Sequence, residues 1–238
     1  MKNIGIISRK ELGSYLTSPM AYIVSAIFLA LSGTFFSTYL AGTSFEDTSI
    51  RGFLDAAQIL ILLFAAILTM RLVAEEKKTG TWELLLTAPV RDVEIVVGKF
   101  LGSLAVLTGM LVTTLYFPFL LVLFGDPDLG TIGTSYLGLL LLGSACLSIG
   151  VFASTLSANQ IVSAVVGGGI LFGLWFLGAV ESFTTGALKE LIPFLSLSHH
   201  FTDFTRGIVD TRSIVYYLSV TALFLYLARG SIQTARWR

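Results

Sequence analysis

His199 and His200 are the only imidazoles in this chain. Adjacent residues on a helix point in different directions, and the nearby Asp203 and Asp210 complete no recognised metal-ligand spacing. The pair reads as part of a polar interfacial segment, and no bound metal is expected. Cys146 is the only cysteine, which rules out an intrachain disulfide and a cysteine-built zinc or iron–sulfur centre. Its neighbours are Leu, Ala and Ser, so it reads as a small packing residue. A phosphate-gripping loop would need G-x-x-x-x-G-K-[ST], and Gly167-Gly168-Gly169 has neither the lysine nor the hydroxyl. No cofactor and no catalysis are therefore expected on this chain. The triple glycine is better suited to close helix packing.

The chemically dense stretch is 71–92, RLVAEEKKTGTWELLLTAPVRD. Gly80 is fit for a left-handed C-cap, so a charged helix through Glu75, Glu76, Lys77 and Lys78 should stop there. Thr81 can N-cap a new helix, with Glu83 in the first turn, where the helix dipole favours negative charge. Pro89 ends that helix soon after Leu86, and Asp92 can N-cap the next. The product is a short apolar helix over 82–86, whose Trp82 and three leucines need a partner surface, either lipid headgroups or protein. The bland alternative for the four charges is a solvated helix end, because surface pairs contribute only about 0–1 kcal/mol.

The elements that hold this stretch are set by composition. Of 238 residues, 55% are hydrophobic and 13% charged, and the mean hydropathy is +0.85. Soluble proteins carry roughly 25% charged residues. No Asp, Glu, Lys or Arg occurs over the 52 residues 129–180 or the 26 residues 100–125. Lipid is the solvent that suits such runs, since a span needs roughly 20 apolar residues. The expectation is one all-α integral membrane domain over 1–238, with six spans at about 20–40, 53–73, 99–124, 136–152, 161–180 and 213–228. Pro19 opens span 1, Pro118 should kink the outer half of span 3, and the polar run 154–160 should be the turn between spans 4 and 5. Thr108, Thr113, Thr114, Ser144 and Ser148 can bond back to their own helices and mark no substrate path.

With the N-terminus inside, eleven Lys and Arg fall on the cytoplasmic side and four outside, as the positive-inside rule requires. Both termini should be cytoplasmic. The start of the chain does not read as a signal peptide, because Arg9, Lys10 and Glu11 interrupt its apolar residues. Residues 4–16 put Ile4, Ile7, Leu12, Tyr15 and Leu16 near one stripe and those three charges on another, as in an amphipathic interfacial helix. Residues 181–212 contain an apolar run at 191–195, too short to span and suited to a re-entrant dip on the outer side. No ionisable residue falls mid-span, which argues against a proton-coupled carrier or a charge-lined channel.

The string AEEKKTGTWELLLTAPV after the second of six spans resembles the permease subunits of type-2 ABC exporters. The resemblance extends to the elbow helix before span 1, the Ser18-Pro19 entry, the Gly98-Lys99 start of span 3 and the re-entrant segment before span 6. GTWELLLTAPVRDVEIVVGKFLG and the C-terminal HHFTDFTRGIVDTRSIVYYLS are most similar to the gliding-motility-type permeases, then to the copper-enzyme-maturation type. The resemblance implies a cytoplasmic coupling helix seated in a cleft of a separate ATPase. The ATPase-coupling residues would be Glu75, Glu76, Gly80, Thr81, Trp82, Glu83 and Leu84. It further implies two ABC ATPase subunits carrying ATP and Mg, a second permease chain, identical or paralogous, a bacterial inner-membrane location and no nucleic acid. An outer-side auxiliary subunit is compatible with it. The alternative from another class is a membrane scaffold for a non-ATPase partner; an intramembrane enzyme ranks last for want of clustered catalytic groups.

Overall fold

A computed structural model of the chain describes residues 2–42, 51–125, 127–180, 192 and 194–236. Every element assigned among them is helical, and six helices are long and apolar enough to cross a membrane. Helix α1 (Lys2–Thr17) precedes α2 (Pro19–Gly42), the first crossing, which Pro19 opens as expected. Helix α3 (Arg51–Thr69) is the second crossing. It is followed by α4 (Ala74–Thr79) and α5 (Thr81–Thr87). The third crossing is split into α6 (Asp92–Thr114) and α7 (Tyr116–Phe124). Helices α8 (Leu129–Leu156) and α9 (Gln160–Val180) form the fourth and fifth crossings. The short α10 (Leu197–Thr205) leads to α11 (Thr211–Arg236), the sixth.

Helix α8 is the central post, with 83% of its apolar window buried, against 17% for α2 and for α9. It touches α3, α6, α9, α10 and α11. Packing rather than the hydrophobic effect must hold helices together in lipid, and small residues on α8 permit it. A Cβ on Gly138 would come within 2.7 Å of the Phe204 ring, and one on Gly150 would collide with the Thr69 side chain. Cys146 is buried in this post, as its neighbours suggest. Of the triple glycine, Gly167 packs closely, 3.2 Å from the Ala153 Cβ, while Gly168 and Gly169 face open space.

Near Pro118, expected to kink the third crossing, the helix is interrupted at Leu115, between α6 and α7. Proline has no N–H for the carbonyl four residues earlier, which is that of Thr114. The Tyr136 hydroxyl on α8 donates to that carbonyl at 3.0 Å. The hydroxyls of Thr108, Thr113, Thr114, Ser144 and Ser148 bond back to carbonyls in their own helices.

Several boundaries differ from expectation. The turn between α8 and α9 is confined to 157–159, because α8 runs on to Leu156 and α9 starts at Gln160. Ser154 and Thr155 are buried helical residues, not part of that turn. The fourth crossing also begins earlier, where Asp128 accepts from the Gly130 amide at 2.9 Å and caps α8. Most of the expected re-entrant dip, 181–191 and 193, lies outside the described residues, as does Asp126. In α1, Glu11 joins Ile7 and Tyr15 on the buried stripe while Leu16 is 57% exposed. The spacing 7, 11, 15 is a helical i, i+4 series, and Glu11 follows it because a cation waits beneath.

Candidate functional site

The stretch 71–92 folds as a helix–turn–helix at the end of the bundle that also holds α1. Gly80 takes φ 75° and turns the chain between α4 and α5, a left-handed conformation glycine adopts without steric cost. Ala88 is extended at ψ 150°, as the residue before a proline prefers. Two caps differ from expectation. Gly80 rather than Thr81 occupies the N-cap of α5, and the Thr81 hydroxyl points back to the Glu76 carbonyl at 3.4 Å. Arg91 rather than Asp92 is the N-cap of α6, and Glu94 reaches back to accept from the Arg91 amide at 3.2 Å. Asp92 sits in the first turn instead.

Helix α5 has an inner and an outer side. Trp82 is 6% exposed and packs into the chain's own core, with the Lys77 ammonium 5.9 Å from its ring centroid. Leu84 stands 72% exposed, with Glu83 and Thr81 exposed beside it. On α4, Glu75 faces out, while Glu76 turns in. Gly80, at the turn, is exposed. Of the seven residues singled out by sequence, five are therefore exposed, and Glu76 and Trp82 form the attachment.

The attachment contains a charge cluster that sequence reasoning does not single out. Lys99 on α6, 1% exposed, lies 2.9 Å from Glu11 Oε1 on α1 and 2.9 Å from Glu76 Oε1 on α4. Its ammonium also donates to the Leu72 carbonyl at 2.6 Å. Lys10, 64% exposed, reaches Glu76 from outside at 3.3 Å. Desolvating a lone ammonium costs several kcal/mol, so a buried lysine needs such partners. Two glycines bring α1 close enough to supply one: a Cβ on Gly98 would approach Ile7 to 2.7 Å, and one on Gly102 would approach Glu11 to 2.6 Å. The G-x-x-x-G spacing around Lys99 was the available signal.

Nor does the second helix end at Lys78 without interruption, as expected. It breaks over 70–73, and Ser154 of α8 enters the break. Its oxygen accepts from the Val73 and Ala74 amides at 3.0 and 3.2 Å. The Tyr15 hydroxyl donates to the Leu68 carbonyl just before it. Burial pushes the Tyr15 phenol up to about 12, so it remains a donor, with the Arg71 guanidinium opposing that shift from 4.1 Å over its ring.

Among the described residues no group of three or more His, Cys, Asp or Glu is placed to hold a metal. What the segment offers is a surface: an exposed leucine with an acid and a threonine on the same short helix, which buried Trp82 fixes from behind.

Six apolar helices with such a segment at one end define a multi-pass membrane protein. The model of the ABC-2 family transporter proteins matches residues 6–236. The chain belongs to that family and is an ABC-2 type permease. Such permeases are membrane transport components that work with an ABC ATPase. No curated protein matches the chain.

Proposed function

We propose that this chain is the membrane subunit of an ABC exporter and that α4–α5 is its coupling element. The observation that carries this reading is Leu84, 72% exposed on a helix whose other side is fixed by buried Trp82. An isolated large apolar side chain is ordinary on a surface. One held rigidly on the same helix as Glu83 and Thr81 forms a docking knob for a cleft on a partner, with Glu75 exposed on the preceding helix. The face bearing α1 and α4–α5 is cytoplasmic, in keeping with the eleven to four distribution of Lys and Arg, and both termini lie there in a bacterial inner membrane. ATP and Mg act on the partner. Two ATPase subunits close on nucleotide beneath two permease chains, push on α5, and move the exit path between the chains.

The test is co-purification from native membrane. The wild-type chain should bring down an ATPase subunit, and replacing Glu83 and Leu84 together by Ala should abolish that association while the chain still inserts and folds. Retention of both association and ATP-coupled activity in the double variant would refute docking through α5.

A further inference from the structure

The break in the second crossing has no local cause. Residues 70–73 are Met, Arg, Leu and Val, with neither proline nor glycine. Without either, a side chain that inserts into the hydrogen-bond ladder can open it locally, and Ser154 is such a side chain, taking the Val73 and Ala74 amides. Its hydroxyl donates to the Met70 carbonyl at 3.3 Å on one side of the break and accepts from Val73 and Ala74 on the other. Lys99 satisfies the Leu72 carbonyl between them. The Lys77 ammonium donates to the Thr155 carbonyl, a second tie from α4 to the same turn of α8. One helical turn away on α8, Gly150 meets Thr69 with no room for a Cβ. The two helices are thus locked before the break and hydrogen-bonded across it.

We propose that Ser154 is a positioning residue for coupling: it is the pivot through which displacement of α4–α5 becomes displacement of α8. The inference rests on the docking reading above. A hydroxyl bonded to both sides of an interrupted helix lets the far segment change angle while the backbone groups at the joint keep their partners. Ser154 is 0% exposed, so bulk water does not compete for these backbone groups. Helix α8 is the most buried of the crossings and touches α4 itself, which makes it the efficient receiver of a thrust delivered at one end.

The test uses the permease reconstituted with its ATPase, carrying an environment-sensitive fluorophore on Leu129→Cys. That position is 66% exposed at the start of α8, the end remote from Ser154, and the native Cys146 is buried. Vanadate trapping should shift the emission in the parent complex. Ser154→Ala should keep ATPase association and hydrolysis but reduce the shift about fivefold or more, and Ser154→Thr should restore it. An undiminished shift in Ser154→Ala overturns the proposal, and so does loss of ATPase association in that variant. Should Ser154→Ala fail to fold, hydrogen exchange on the parent complex decides. The Val73 and Ala74 amides must stay protected with and without trapped nucleotide, and their opening on trapping overturns the pivot. A parent chain that binds no ATPase refutes docking instead, and is recognised before any variant is made.

Discussion

Lys99 and Glu11 meet at 2.9 Å inside the seam where α1 crosses α6. The pair joins α1 to a membrane crossing, and Glu76 draws the α4–α5 segment into the same cluster. Removing one partner of a buried pair is far worse than removing both, because an uncompensated charge stays behind. Lys99→Met should therefore destabilise the protein by about 3–5 kcal/mol. Adding Glu11→Gln to it should recover part of that loss. Thermal unfolding in detergent checks this, and equal melting temperatures for the single and double variants would remove the pair from the account of how α1 is held.

Trp82 and Leu84 sit two residues apart, the first buried and the second exposed. Trp82→Ala should cost about 3–5 kcal/mol, as for other large buried aromatics. Leu84→Ala, on the exposed side, should stay within about 0.5 kcal/mol of the parent while weakening ATPase association. Melting curves and pull-downs on the same two variants separate anchor from contact. A Leu84→Ala protein as unstable as Trp82→Ala would place Leu84 in the core.

At the interruption of the third crossing, Tyr136 supplies the donor that Pro118 cannot give to Thr114. Tyr136→Phe leaves the Thr114 carbonyl without its donor and should cost about 1–3 kcal/mol. Pro118→Ala supplies an N–H four residues on, so the double variant should lose less than Tyr136→Phe alone. A double-mutant cycle reads this directly, and strict additivity would mean the two groups do not share the carbonyl.

Helix α10 is fastened to α11 through His200, whose ring stacks 4.0 Å from Tyr216 and whose Nδ1 lies 3.3 Å from the Ser213 hydroxyl. Burial holds this imidazole below the usual histidine range and His199 adds to the effect, while the Phe194 carbonyl, Asp203 and Asp210 oppose it. With the folded value below the unfolded 6.5, the unfolded state binds the extra proton. This contribution is complete above that pH and is lost as pH falls through the folded value. Hydrogen exchange over 197–205, corrected for intrinsic rates, should be faster at about pH 5 than at about pH 7.5. The His200→Phe variant should show no such difference, and an equal response in both proteins would assign the effect elsewhere.

The crossings, Pro19, the Gly80 turn and the stop at Pro89 were legible because each is dictated locally, by hydropathy or by backbone stereochemistry. The positions that failed share another cause. Ser154 looks like a turn residue because serine, threonine and asparagine cluster at 154–160, yet its hydroxyl is needed 80 residues away at Ala74. Glu11 looks like a solvated charge until Lys99 appears beneath it. Thr81 and Asp92 are good caps by type, but the chain starts each helix one residue away from the expected register. Tertiary partners decided these cases, and a single sequence does not display them.

The length of α8 has a consequence of its own. Its 28 residues extend about 42 Å at a rise of 1.5 Å per residue, against a hydrocarbon layer of about 30 Å. A helix that long must lean or project into the headgroups, and how far it leans follows the thickness of the membrane around it. Ser154 lies near one extremity of this rod, and because Gly150 seats against Thr69 and Ser154 is bonded to Val73 and Ala74, the second crossing must lean with it. The tilt of this helix pair is therefore expected to follow lipid chain length.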